Sequence, residues 1–453
     1  RHTKYIQKGS SPTHVIPEDI KELIKEDIVP AVLKKPLSPL TYKDYFHALL
    51  YAEDYYLEKW DGFKMKNVTL ELHKAAIYRQ KGRYKNLIES DEKDDKVFVA
   101  FKIDSIPERR PFLLSRDFAS VRPSGRNIEP FQGIIYRVVK SNIVLVDFGQ
   151  DFYSEYDPAC KYDVKFSFNR VCLKRAHQAI AVASDPLLRN FLFPERVPQI
   201  RLAPTQLSIS HKLDREQVSA VLQILSHKCP PPYLVEGPVS VTRMDDNTKR
   251  LSRSGAVVQE AVLQVYRTSP SCRILICAPL NSTCDVFTRS LKTQIPESDM
   301  FRANAAFREL DGVPFDILPS CLYEGECFSC PPRVEISKYK VILSTFMSSF
   351  RLHDVGIVAG HFSHIFLVDA SSATEPETLV TLANLANENT VVVVIGAPRN
   401  HSGWVRSTIA RYNGLLCSFF ERLRQSELYN GLDPKFVTQL QERGEPHRSF
   451  SFL

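Results

Sequence analysis

The residues best placed to do chemistry in this 453-residue chain lie within Tyr233–Val262, YLVEGPVSVTRMDDNTKRLSRSGAVVQEAV. An apolar strand-like run ends in Gly237-Pro238, as a loop that binds nucleotide phosphates begins. A working loop of that kind reads G-x-x-x-x-G-K-[ST]. Backbone N–H groups cradle the phosphates, the lysine reaches the outer ones and the hydroxyl holds Mg²⁺. Counted straight along the chain, Thr242, Arg243 and Met244 fall on the last three positions. Arg243 keeps a positive charge, but as a planar fork and not a point charge. Met244 offers a thioether to a hard cation that wants oxygen, and Thr242 lacks the backbone freedom of glycine. Val239–Ser254 is polar and charged, with no phosphate to order it. It is therefore expected to be a mobile surface loop, cut first by protease at Arg243, Lys249, Arg250 or Arg253, with helix resuming near Ala256.

Other polar groups sit at the ends of apolar runs. Asn281, Ser282 and Thr283 follow RILICAPL and either hold a phosphate, through amide, hydroxyl and helix N-terminus, or cap the next helix. Asp369, at the end of HIFLVDA, reads more strongly as a cap for the helix ETLVTL than as a metal residue. Cys321, Cys327 and Cys330, with His361 and His364 further on, lack a close fourth ligand, so no metal site is expected. Among the basic stretches, Arg109 and Arg110 beside a strand are the best candidates for a binding patch.

These groups need elements to position them. At this length two or three domains are expected. The composition is that of a globular protein: 43% hydrophobic, 25% charged and 10% aromatic residues. A net charge of +7 permits a polyanionic partner without requiring one. Ten scattered cysteines, several inside apolar runs, suit a reducing compartment. No apolar run approaches the roughly 20 residues that cross a bilayer, so no membrane partner is expected. The chain starts at Arg1 and not Met, which reads as a piece of a longer protein.

Residues 1–40 are polar and Pro-punctuated, a linker with one short helix near Glu18–Lys25. The segment 41–95 is read as helical, led by an amphipathic helix from Thr41 to Trp60. In 96–195, short alternating runs at 97–103, 110–123, 131–148 and 161–173, with a turn at Lys140-Ser141-Asn142, suggest a small β-barrel. From 196 to 453 Val/Ile/Leu strands alternate with helices, the mark of a parallel sheet covered on both faces. Ligands of such sheets bind beyond the carboxyl ends of the strands. Those ends are Gly237-Pro238, Ala278-Pro279, Thr345, Asp369 and Gly396-Ala397.

Taken in order, these segments resemble the first motor domain of superfamily 1 RNA helicases. The closest likeness is to the branch of the plant silencing-defective helicase and the animal Moloney-leukaemia-virus-resistance helicase. LDREQVSAV resembles that family's adenine-reading segment and places Gln217 at the base. PPYLVEGP matches its phosphate-loop entry, CAPLNSTCDV its backbone-gripping segment, HIFLVDASSATEPETLVTLANLA its metal strand and IGAPRNHSGWVRS its γ-phosphate sensor. RRPFLLSRDF, FQGIIYRV and KFSFNR resemble the barrel ahead of the motor domain. The resemblance implies an α/β fold: a RecA-like, P-loop-type parallel-sheet domain preceded by a small β-barrel and a helical segment.

Where active relatives read D-E-A, Asp369 runs into Ala370, and where they read G-D-x-x-Q this chain has Gly396-Ala397-Pro398-Arg399-Asn400. FVTQL resembles the run into the link between motor domains, after which the chain stops without a second one. The resemblance thus implies a non-catalytic helicase-like protein with a vestigial nucleotide site at Gln217, Gly237, Pro238, Thr242, Arg243, Asp369, Gly396 and Asn400. RNA contacts are implied at Asn281, Ser282, Thr345, Arg109 and Arg110. The implied partners are single-stranded, sequence-tolerant RNA and Argonaute-type silencing complexes in antiviral pathways, in the cytoplasm and its ribonucleoprotein granules. No cofactor is expected. ATP and Mg²⁺ enter only under the alternative, a divergent fragment of an ATP-dependent RNA helicase; a third reading is a purely structural platform.

Overall fold

The computed structural model describes residues 15–60, 64–74, 97–102, 117–139, 143–196, 208–210, 212–228, 230–325, 327–400 and 405–441. Seven strands come first: β1 (Lys64–Val68), β2 (Glu71–Lys74), β3 (Val97–Lys102), β4 (Phe118–Pro123), β5 (Phe131–Val139), β6 (Ile143–Phe148) and β7 (Tyr162–Ser167). They pair antiparallel in the order β1-β7-β4-β5-β6-β3-β2. β1 and β2 are the two ends of that order, yet only Thr69 and Leu70 separate them in the chain. Six strand spacings would hold the ends of a flat sheet about 29 Å apart, and three residue steps reach about 11 Å. The sheet must therefore curl into a barrel.

Its interior takes the inward half of each alternating strand, including Val99, Phe101, Val121, Ile135, Val146 and Phe166. A Cβ at Gly133 would overlap the Phe148 and Val146 side chains, so the barrel requires glycine there. Two readings are corrected here. β1 and β2 lie in the stretch expected to be helical, and NRVCL, expected to continue a strand, opens the helix Val171–Val182. In that helix Ala176, His177, Ala179 and Ile180 are buried, so the apolar period changes from two to 3.6 just after β7. The turn expected at Lys140-Ser141-Asn142 lies outside the described residues.

The remaining strands are β8 (Tyr233–Glu236), β9 (Val241–Arg243), β10 (Lys249–Leu251), β11 (Ile274–Ala278), β12 (Met300–Arg302), β13 (Tyr323–Glu324), β14 (Cys327–Phe328), β15 (Val341–Thr345), β16 (His364–Leu367), β17 (Val391–Gly396) and β18 (Val437–Gln439). β9 with β10 and β13 with β14 form separate hairpins. The other seven make a wholly parallel sheet in the order β12-β15-β11-β16-β17-β8-β18. β11, β15 and β17 are buried at every residue, as strands covered on both faces must be. Along β11, Leu275 and Cys277 enter one core while Ile274, Ile276 and Ala278 enter the other. Helices Arg215–Ser226, Arg253–Thr268 and Asn281–Lys292 cover the second of these cores. Phe346–Asp354, Glu375–Leu385 and Phe419–Gln425 cover the first. The expected α/β architecture of barrel and RecA-like domain is therefore present. Among the described residues no helix is long and apolar enough to cross a membrane.

The helices Tyr42–Trp60 and Val171–Val182 form an outer layer on the first core, where Val171–Val182 packs along Glu375–Leu385. Glu377 lies in this seam. It keeps some exposed area, but its carboxyl is crowded by protein, and that burial pushes its pKa up to about 7 against the Thr374 contact. The native state therefore holds this proton between about pH 4.5 and 7 while the unfolded chain has released it. Stability from this group is present at the acid end and falls as pH rises through that window. Glu377→Gln is expected to flatten the fall, read as a smaller loss of Tm between pH 5 and pH 8 than in the unaltered protein.

Candidate nucleotide and nucleic-acid site

The loop after β8 differs from its expected course. The Gly237 N–H donates to the Gly396 carbonyl at the end of β17 (3.0 Å). The chain then leaves as the β9–β10 hairpin, with Arg243 opposite Lys249 and Val241 opposite Leu251. Asn247 takes the left-handed region (φ 64°), and Asp246 accepts from the Thr248 N–H (3.0 Å) and hydroxyl (2.6 Å) to close the turn. The base is pinned where the Ser252 N–H donates to the Ser240 carbonyl (2.8 Å). Ser252 caps the helix Arg253–Thr268, its hydroxyl accepting from the Gly255 N–H. Val239–Ser254 is thus an ordered arm, not the mobile loop expected. A local turn supplies the order that was not expected in the absence of a phosphate ligand.

Thr242 and Arg243 stand exposed on this arm, outside any phosphate cradle. Setting Val241–Leu251 aside leaves Gly237-Pro238-Val239-Ser240-Ser252-Arg253-Ser254-Gly255, again eight positions. In that register Arg253, Ser254 and Gly255 hold the places of the second glycine, the lysine and the Mg²⁺-binding hydroxyl. The loop is folded down on its own helix: a Cβ at Gly255 would overlap the Ser240 carbonyl oxygen, and one at Gly237 the Ser254 hydroxyl. The signal in the sequence was Ser252-Arg253-Ser254-Gly255 standing directly before the apolar-periodic run.

The Gly237, Ser240, Ser252 and Gly255 N–H groups of this loop are spent within the chain, while the buried Ser240 and Ser254 hydroxyls have no partner among the described residues. Asp369, 4% exposed and in the left-handed region (φ 52°), accepts from the Ser240 N–H (3.0 Å). Burial pushes the Asp369 carboxyl up, against the Ser240 amide that holds it down. Asp369 therefore ties β16 to the loop and does not cap the following helix. Thr374 is that cap, accepting from the Glu377 N–H.

Gln217 is engaged at both ends of its amide: Oε1 accepts from the Asp214 N–H (3.0 Å) and Nε2 donates to the Arg253 carbonyl (3.1 Å). With Asp214 accepting from the Gln217 N–H, this is a capping box for Arg215–Ser226. Arg253 turns back to the same place, donating to Asp214 (2.6 Å) and Glu216 (3.2 Å). At the γ-phosphate segment Gly396 is demanded by packing, since a Cβ would enter the Phe420 ring. The Ala397 N–H donates to the Ser371 hydroxyl (3.0 Å), and the Asn400 N–H to the Ala397 carbonyl (3.3 Å). Gln217, Gly237, Asp369 and Gly396 thus gather around one loop and are tied to it or to each other.

On the nucleic-acid side, Ala278 and Thr345 are register partners, so the segments after β11 and β15 emerge side by side. The Thr345 hydroxyl accepts from the Ser348 N–H (3.2 Å) and caps Phe346–Asp354. Asn281 does not cap its helix. Its Oδ1 accepts from Arg302 (3.1 Å), while Ser282 beside it is half-buried. Arg302 belongs to a buried network that single-sequence reading missed. Fully buried on β12, it donates to Asp285 (3.1 Å) and the Ala303 carbonyl. Arg308 meets the same carboxylate at 2.6 Å and Asn304 at 2.8 Å. Arg351 donates to the Asn304 carbonyl (2.8 Å). The network braces the helix that carries Asn281 and Ser282. Arg109 and Arg110 lie outside the described residues.

Glu236, the last residue of β8, pairs with Arg424, a part-buried contact that the sequence did not signal. The Cys321 sulfur accepts from the Asn304 amide (3.3 Å), and the Cys327 thiol donates to the Glu324 carbonyl. Among the described residues no three His, Cys, Asp or Glu side chains are arranged to hold a metal ion.

Residues 83–166 match the family model described as helicase MOV-10, beta-barrel domain. The putative helicase mov-10-B.1 of Danio rerio is 29% identical over 92% of this chain and 40% of its own length. The putative helicase MOV-10 of Gallus gallus is 28% identical over 92% of this chain and 42% of its own. The probable RNA helicase armi of Drosophila melanogaster is 25% identical over 94% of this chain and 38% of its own. The chain spans about two fifths of the length of these relatives.

Proposed function

Because the chain belongs to the MOV-10 branch of superfamily 1 RNA helicases, we propose that it is a helicase-like RNA-binding protein without ATP turnover. The Ser240–Asp369 contact carries this reading. A phosphate loop binds nucleotide through unsatisfied N–H groups, and a metal needs a carboxylate free to turn towards it. In this loop one of those N–H groups and that carboxylate are joined to each other. Ala370 and Ala397 bring no side-chain oxygen to replace what is lost.

RNA binding is the part of the family's business that needs no hydrolysis. The polar segments after β11 and β15, side by side and braced by Arg302, support it. Family likeness alone supports a place in the cytoplasm and in Argonaute-containing silencing complexes. The alternative, ATP-driven unwinding by a divergent motor, is favoured by the relatives' names and opposed by the loop.

Fluorescence anisotropy with labelled single-stranded RNA tests the reading. Weak, sequence-tolerant binding is expected. Its log affinity should fall linearly with log salt, by roughly 0.7 per phosphate contacted. Salt-independent binding to one sequence would contradict it.

A further inference from the structure

We propose that the β9–β10 arm inserted into the old phosphate loop is a contact site for the phosphate backbone of single-stranded RNA. The inference rests on the RNA-binding reading and assigns it a place. Arg243 and Lys249 are direct cross-strand partners, so their side chains leave the same face of the arm as neighbours. Like charges in that relation destabilise a hairpin, and among the described residues neither has an ion-pair partner. Arg250 projects from the opposite face, opposite Thr242. The arm's two acids, Asp245 and Asp246, sit at the turn. Asp246 is committed there: the Thr248 hydroxyl first, then the Thr248 amide, and with them Arg250, hold its carboxyl below its usual range. The Arg243–Lys249 face is thus left without a counter-charge of its own.

The arm is also held where a strand would pass. Leu251 packs into the core, and β10 lies against the Asn281–Lys292 helix. The arm thus leaves the carboxyl end of β8 and lies beside the helix that opens with Asn281 and Ser282 after the carboxyl end of β11. A neutral arm would serve equally well to close the loop, since the bonds that close it, Ser240–Ser252 and Met244–Thr248 along the backbone and the Asp246–Thr248 turn, use neither the Arg243 nor the Lys249 side chain. Two adjacent cations that cost stability need a ligand, and phosphate oxygens spaced along a flexible strand supply the counter-charge, accepting from the Arg243 fork and the Lys249 ammonium.

The test compares the unaltered protein, an Arg243→Ala/Lys249→Ala variant and a Lys34→Ala/Lys35→Ala control. Binding to fluorescein-labelled oligouridylate is measured across a salt series, with unlabelled polyglutamate as a second probe. The arm variant should lose roughly tenfold in affinity at low salt, and its salt slope should shrink by about 1.4, the loss of two phosphate contacts. The control should match the unaltered protein. The Tm of the arm variant should be unchanged or higher, because a like-charge pair has been removed. Equal affinity and slope in the arm variant would overturn the assignment while RNA binding stands. If the unaltered protein binds no RNA, both readings fall. If it binds polyglutamate and not RNA, the arm serves an acidic protein segment instead.

Discussion

Phosphate release from Mg-ATP is expected to remain at the buffer blank, with or without single-stranded RNA. Three independent losses converge on this result. Ser254 and Gly255 stand where the lysine and the Mg²⁺-binding hydroxyl belong once the arm is set aside. Ala370 follows Asp369 where the resemblance implies a glutamate, and Ala397 stands where it implies an aspartate, so neither position offers a carboxylate. Removal of one such positioned group commonly costs a factor of about 10² or more, and on the proposed reading the expectation for three together is no measurable turnover. Binding is expected to fail as well. A ligand at a hundredfold excess over its Kd adds about 2.7 kcal/mol to the native state, several degrees in Tm for a domain of this size. Thermal scans with millimolar ATP should therefore superimpose on those without it. RNA-stimulated release that disappears in Asp369→Asn, a variant able to keep the Ser240 contact, would sink this.

The second large effect is structural. Arg302→Met is expected to cost about 3 kcal/mol, the lower end of the range for breaking a buried ion pair. The side chain is fully buried, so its removal leaves Asp285 with Arg308 alone and leaves the Asn281 amide oxygen without its Arg302 partner. The remaining Arg308 contact is what keeps the cost at the lower end. Urea unfolding should show a lowered midpoint at unchanged slope, and RNA affinity should fall with it as the Asn281 segment loses its brace. Adding Asp285→Leu should lower the midpoint further, because the largely buried Arg308 guanidinium then loses its carboxylate partner. A midpoint equal to that of the unaltered protein would show that the network is dispensable.

How far the sequence could be read follows from the physics of each part. The helices Glu18–Lys25 and Tyr42–Trp60 matched their expected spans closely, since an apolar period of 3.6 is a local signal. The parallel strands were legible because burial on both faces leaves continuous apolar runs. β1 (KMKNV) and β2 (ELHK) were not: largely exposed, they carry few apolar residues, and only their partners define them. The site was legible as a set of strand ends and illegible as a set of contacts. Gln217 looked like a base reader because its flanking residues are those of one; that its amide closes a capping box depends on where Arg253 arrives. The loop register failed for a simple reason. Counting along the chain assumes that successive residues stay in the loop, and eleven of them, Val241 to Leu251, leave it and return.

That departure and return has a further consequence. The two ends of the arm meet across the Ser240–Ser252 hydrogen bond of 2.8 Å, and the contacts of β10 with the rest of the fold, with Leu251 against the core, lie at the returning base of the arm. The cost of closing such an excursion grows only slowly with its length, by about 0.6 kcal/mol per doubling. The loop after β8 is in this way built as a socket. Arms of other lengths and chemistries can be exchanged at Ser240 and Ser252 while the sheet beneath stays as it is, a point of attachment where descendants of a motor can be given new specificities without being refolded.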